Sequence, residues 1–168
     1  ISNKGLQSGA KSYTKSTNII GLTFQQLQIR YFDAWLKNYF IPRIAIASDS
    51  LCNYTEPINF HRDEKFEKLS SLEKKHFNEL YEKYKVFGMT VNLLFPKYID
   101  IAENLQILNL ENLNNLEEIK NILSSSLRTS EVFEAVFYRD LLKEIIDLLV
   151  RITNEFNSVF GEDIFVNR

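Results

Sequence analysis

Residues 132–161 read VFEAVFYRDLLKEIIDLLVRITNEFNSVFG, and their spacing decides the fold class. Phe133, Phe137, Leu141, Ile145, Leu148, Ile152, Phe156 and Phe160 recur every three or four residues, which is the period of one face of an α-helix rather than the two-residue period of a strand. Val132, Val136, Ile146 and Leu149 widen that face beyond a two-stranded seam and place the helix in a bundle. Phe137, Ile145 and Leu148 are expected in the core. Gly161 is expected to stop the helix, because glycine accepts a left-handed C-cap without a steric penalty.

Moving upstream, Asn114 with Glu117 has the spacing of an N-cap for a short helix through Ile119 and Leu123. Between Leu105 and Leu127 leucines alternate with asparagines. The run Leu105, Leu108, Leu110 has the spacing of a leucine-rich repeat, but a solenoid needs several copies and this occurs once. Ser70 followed by Glu73 forms a capping box that starts a helix carrying Phe77, Leu80, Tyr84, Phe87, Val91 and Leu94 on one face. Pro96 ends that helix or bends it into a continuation through Tyr98, Ile101 and Leu105. Asn53 to Asp63, with Pro57 and no period, reads as the longest loop, one that reverses the chain. Near the N-terminus Ile20, Phe24, Leu27, Tyr31 and Trp35 share a helical face, and Pro42 predicts a kink or a very short break before the pattern resumes.

A chain of 168 residues, 45% hydrophobic and 25% charged, with 5 glycines and 3 prolines, is long enough for one core and poor in tight turns. The expected fold is an all-α antiparallel helical bundle with long N- and C-terminal helices and shorter helices between. Residues 1–18 are expected to be a polar linker or frayed helix extension, and residues 19–168 a single bundle domain. The lone Cys52 cannot form an intramolecular disulfide, and no run approaches the about 18 apolar residues of a membrane span. A cytoplasmic location follows as an expectation. The net charge of −2 is unevenly spread: Ile1 to Ser48 carries six cations against Asp33, a net +5, and the remainder carries −7. The sequence starts at Ile1 and its only methionine is Met89, so a preceding segment is expected. A basic flank beside a membrane helix would lie on the cytoplasmic face. In layout, though not in any motif, the chain resembles the cytoplasmic helical part of membrane-anchored bacterial proteins.

Catalytic chemistry is thinly represented. His61-Arg62-Asp63 matches the start of a protein-kinase catalytic loop, but Lys68 stands where the metal-binding asparagine belongs, and the glycine-rich loop and DFG are missing. These three residues are therefore read as polar loop residues before a helix. Glu73 and His76 have the Glu-x-x-His spacing of a di-iron centre, with Glu79 a turn further on. The second copy that such a centre requires is absent, so no metal or cofactor is assigned. Neither histidine follows an arginine by four to six residues, as in helical ribonucleases of the HEPN type. Cys52 on an apolar helical face reads as a small core residue rather than a nucleophile. Arg30, Lys37 and Arg43 interleave with Tyr31, Trp35, Tyr39 and Phe40, yet overall acidity argues against nucleic acid.

The functional expectation is a non-enzymatic interaction or scaffold domain that binds a protein partner or itself. Phe24, Tyr31 and Trp35 are the candidate contact residues, since aromatics anchor interfaces. An accessory or sensor domain of an enzyme is the runner-up, and a metal-dependent enzyme centred on His76 stands third.

Overall fold

A computed structural model describes residues 8–15, 17–97 and 115–166. Their regular structure is helical: α1 Ser8–Lys15, α2 Phe24–Trp35, α3 Ile41–Thr55, α4 Phe60–Glu67, α5 Ser71–Leu94, α6 Leu116–Ser126 and α7 Tyr138–Phe160. The protein is all-α. Contacts divide it into a first unit, residues 1–39, and a second, residues 40–168.

In the first unit, α2 is started by a full capping box. The amide of Gln26 donates to Thr23 Oγ1 at 3.1 Å, and the amide of Thr23 donates to Gln26 Oε1 at 2.9 Å. The helix therefore begins at Phe24, and Ile20, expected on its stripe, lies before it and is exposed. Ser8–Lys15, within the stretch read as polar linker or frayed helix, forms a two-turn helix.

A π-helical turn, Leu36–Phe40, precedes α3 in place of the kink or break expected at Pro42. Proline lacks the amide that would bond four residues back, and its ring crowds that carbonyl. A wider turn just upstream, with Pro42 in the first turn of α3, accommodates both effects.

The second unit is built on α3, α5 and α7, each packed on the other two, with α6 against α5. Contact register gives their directions. Asp49 pairs with Lys97, Thr55 faces Gly88, Phe77 touches Phe156 and Phe87 stacks near Phe133, so α5 runs antiparallel to both partners. Phe40 meets Tyr138 and Tyr54 meets Phe156, so α3 and α7 run parallel. Three mutually packed helices cannot all be antiparallel, and the parallel pair is the one separated by a full pass of chain. The longest element is α5, of 24 residues.

Several helix ends form as the sequence implies. The Ser70–Glu73 capping box closes at both bonds, 2.8 and 3.4 Å, and Gly161 caps α7 with φ +72°. Phe77, Leu80, Tyr84, Phe87 and Val91 are buried on α5, as are Ile145 and Leu148 on α7. Three expectations need correction. The loop after α3 is only residues 56–59, because Asn59 caps α4 by accepting from the amide of Arg62 at 3.0 Å, and the chain turns helical again at Phe60. The cap of α6 is Asn115, one residue later than expected, accepting from Glu118 N at 3.2 Å. Finally, α7 begins at Tyr138: residues 131–137 are not helical, and Phe137 is the N-cap residue, 62% exposed. The apolar period continued upstream of the helix, but Phe133 and Ala135 are buried from a non-helical run, and Val132, Val136 and Phe137 face outward. The continuation beyond Pro96, the leucine–asparagine run as far as Asn114, and Asn114 itself lie outside the described residues.

Two stability outcomes follow. Phe156→Ala is expected to cost about 3–5 kcal/mol in urea denaturation, whereas Phe137→Ala should stay within about 1 kcal/mol. α3 and α5 approach closely at Gly88, where a Cβ would come 2.5 Å from Thr55 Oγ1. Thr55 is buried and β-branched, and it donates to Leu51 O at 3.1 Å, so it yields poorly. Gly88→Ala should therefore destabilise by about 1–3 kcal/mol despite the about 1 kcal/mol it gains in helix propensity. In a Thr55→Ala background the same change should be neutral or stabilising, and equal losses in both backgrounds would place the close approach elsewhere.

Candidate functional site

The residues expected to carry chemistry are distributed over separate parts of the molecule. Glu73 accepts from the amide of Ser70 in the capping box, and the Ser70 hydroxyl, together with that amide, holds its carboxyl below the usual range. His76 is exposed, and Glu79 pairs with Lys75 at 3.9 Å. No group of three His, Cys, Asp or Glu among the described residues could hold a metal ion.

His61, Arg62 and Asp63 are on α4 rather than in a loop. Arg62 is 6% exposed and ties the α3–α4 turn together. Its Nη1 donates to the carbonyls of Tyr54 at 3.0 Å and Glu56 at 2.6 Å, and its Nε and Nη2 donate to Asp63 Oδ1 at 2.9 and 2.7 Å. Buried guanidinium groups persist only when so satisfied. His61 Nε2 donates to the Ile164 carbonyl at 2.8 Å and its ring packs near Phe165, so it fastens the chain after α7 onto α4.

Cys52 is half-buried beside a small groove lined by Thr55, Pro57, Gly88, Met89 and Leu93. Its Sγ accepts from Asn92 Nδ2 at 2.8 Å. Burial pushes the thiol pKa up, outweighing the bond from Asn92 that pulls it down. A raised pKa lowers the thiolate fraction near neutrality, and the thiolate is the nucleophile. Native Cys52 should therefore react with a disulfide reagent at pH 7.5 at least about tenfold more slowly than in urea, and equal rates would mean the thiol is neither sheltered nor perturbed.

The contact residues divide. Phe24 opens α2, but its side chain is not among those described. Tyr31 is 52% exposed on that helix, with the Arg30 guanidinium 6.0 Å from its ring centroid. Trp35 is half-buried and stacks on Tyr39 at 6.0 Å, with Phe32 tilted toward it at 6.4 Å. Tyr31 and Trp35 are thus on one helix, and among the described side chains Trp35 belongs to an aromatic cluster with Phe32 and Tyr39.

A further feature lies in the second unit, along the run between α6 and α7. This run is pinned at alternate residues. The amide of Phe133 donates to Ser124 Oγ at 3.3 Å, and the amide of Ala135 donates to Glu144 Oε2 at 3.3 Å. Phe133 and Ala135 point inward, while Val132, Glu134 and Val136 are left outside. Between this run and α7 is an open groove of about 450 Å³, floored by Leu127, Phe133 and Leu148 and walled by Glu131, Glu134, Glu144 and Asp147. Arg151 also lines the groove and pairs with Glu131, whose second oxygen, Oε2, is buried with no hydrogen-bond partner among the described residues. Burial lowers the Arg151 pKa, but Glu131 and nearby Glu155 more than offset this and leave it raised. Four carboxylates facing one guanidinium make the groove anionic over an apolar floor. Part of this was readable in advance, because Glu144, Asp147 and Arg151 share a helical face. Glu131 and Glu134 join them only because the chain before Tyr138 is not helix.

No family model matches the chain, and no curated protein or solved structure shows significant similarity to it. Among the described residues no helix is long and apolar enough to cross a membrane.

Proposed function

We propose that the protein is a non-enzymatic helical interaction module that works by self-association or by binding a protein partner through its N-terminal unit. One observation carries this reading: no described side chain from Ser8 to Trp35 is buried. Helices of 8 and 12 residues are marginal on their own, since nucleation costs more than so few hydrogen bonds return. At the same time Ile19, Ile20, Ile29 and Tyr31 are all more than half exposed. A partner surface covering Ile29 and Tyr31 would stabilise α2 and remove apolar area from water in one step. The basic character of residues 1–48 fits a cytoplasmic site of action, beside the cytoplasmic face of a membrane if a spanning segment precedes Ile1.

Sedimentation equilibrium on the whole chain tests the reading. The parent is expected to associate in the micromolar range, and Ile29→Ser with Tyr31→Ser should weaken association by at least about tenfold, or about 1.4 kcal/mol. Since both side chains are exposed, the melting temperature of the second unit should hold. A parent that stays monomeric at all accessible concentrations would overturn self-association, and a double variant that associates like the parent would overturn the assignment of the contact to Ile29 and Tyr31.

A further inference from the structure

The two units carry opposite charge. Residues 1–39 hold five cations and Asp33, a net +4, so with the chain at −2, residues 40–168 carry −6. The negative charge of the second unit is concentrated in places, and the groove between the 131–137 run and α7 is one of them. Glu134 and Asp147 are exposed on its walls, Glu131 and Glu144 are half-buried between them, and Leu127, Phe133 and Leu148 form an apolar floor. Exposed Val132, Val136 and Phe137 extend the apolar surface beyond the rim. The first unit has the converse composition. Lys15 at the end of α1 and Arg30 on α2 are exposed cations, and Ile29 and Tyr31, also exposed, stand next to Arg30.

We propose that the acidic groove of one copy of this chain receives the basic, apolar-flanked N-terminal unit of a second copy. This rests on the interaction reading above and names the partner surface that reading leaves open. The chemistry matches at two levels. Carboxylates on the rim attract and orient the cations of the incoming unit, which sets encounter rate and register. The apolar floor and the Val132–Phe137 rim then cover Ile29 and Tyr31, which supply the affinity that screened surface charges alone do not. Each copy carries one donor unit and one groove, so the smallest assembly that fills a groove is a dimer.

Charge reversal on exposed residues tests the proposal on the intact chain. Glu134→Lys with Asp147→Lys alters the groove, and Lys15→Glu with Arg30→Glu alters the N-terminal unit. None of these four side chains is buried, and circular dichroism melts verify that each variant remains folded. In sedimentation equilibrium at 50 mM NaCl each double variant is expected to dimerise at least about tenfold more weakly than the parent. The quadruple variant, which restores opposite charges with the signs exchanged, should recover to within about threefold of the parent. Raising NaCl to 500 mM, where the Debye length is about 4 Å, should weaken the parent and leave the double variants nearly unchanged. A parent that dimerises while all three variants match it would overturn the groove and leave the interaction reading standing. A parent that is monomeric throughout would overturn the groove together with the self-association half of the interaction reading.

Discussion

The second unit depends on the aromatic contact at one end of its three-helix core. Tyr54 of α3 lies flat on Phe156 of α7, with ring centroids 5.0 Å apart and planes 6° from parallel, and Phe77 of α5 meets Phe156 edge-on at 5.3 Å. One level of side chains thus joins all three helices. The Tyr54 hydroxyl donates to Asn157 Oδ1 at 2.5 Å, so the ring's single polar atom is satisfied where burial would otherwise penalise it. Burial also raises the pKa of that hydroxyl, which keeps it a donor throughout the neutral range. Phe165 meets Tyr54 edge-on at 4.9 Å and ties the chain after Gly161 to the end of α3.

That level has a polar counterpart. A four-residue connection between α3 and α4 leaves carbonyls at a helix end that would otherwise be unsatisfied. Arg62 reaches back to two of them, and its charge is balanced by Asp63 at 2.7 Å. Lys65 pairs with Glu162 at 3.0 Å, and His61 bonds the Ile164 carbonyl, so α4 holds both the end of α3 and the end of α7. A tripeptide with the letters of a catalytic loop is in this protein a structural clamp. The burial of Arg62 and the bonds it makes decide this, since the letters alone are compatible with either role.

The two units differ in how they are held. Phe40, Phe95 and Tyr138 pack together at the opposite end of the second unit, so its core is fixed at both ends. The first unit contains a well-formed capping box at the start of α2 and aromatic stacking around Trp35, but no buried side chain in α1 or α2 among those described. Capping fixes where a short helix starts, and only burial of a face makes it persist. The functional reading follows from that contrast.

Much of the architecture was legible because it is local. The Ser70–Glu73 box, the Gly161 stop and the three- and four-residue spacing of Phe77 to Val91 and Leu141 to Phe156 depend on backbone geometry within a turn or two, which sequence specifies directly. What the sequence could not show is where a period stops being a helix. Phe133 and Phe137 continue the apolar spacing of α7, yet Phe133 is buried against Phe87 from a non-helical run, and Phe137 caps the helix in the open. That choice belongs to the packing of α5, α6 and α7, which takes Phe133 and Ala135 inward on alternate residues and so brings Glu131 and Glu134 opposite Glu144 and Asp147. The burial of Arg62 was hidden for the same reason, because its acceptors are carbonyls positioned by the end of another helix. Sequence by itself determined that the chain is helical and where most of its helices begin. Tertiary structure alone decided which charged residues face one another, because side chains distant along the chain come to one surface only after the core has set the order and direction of the helices.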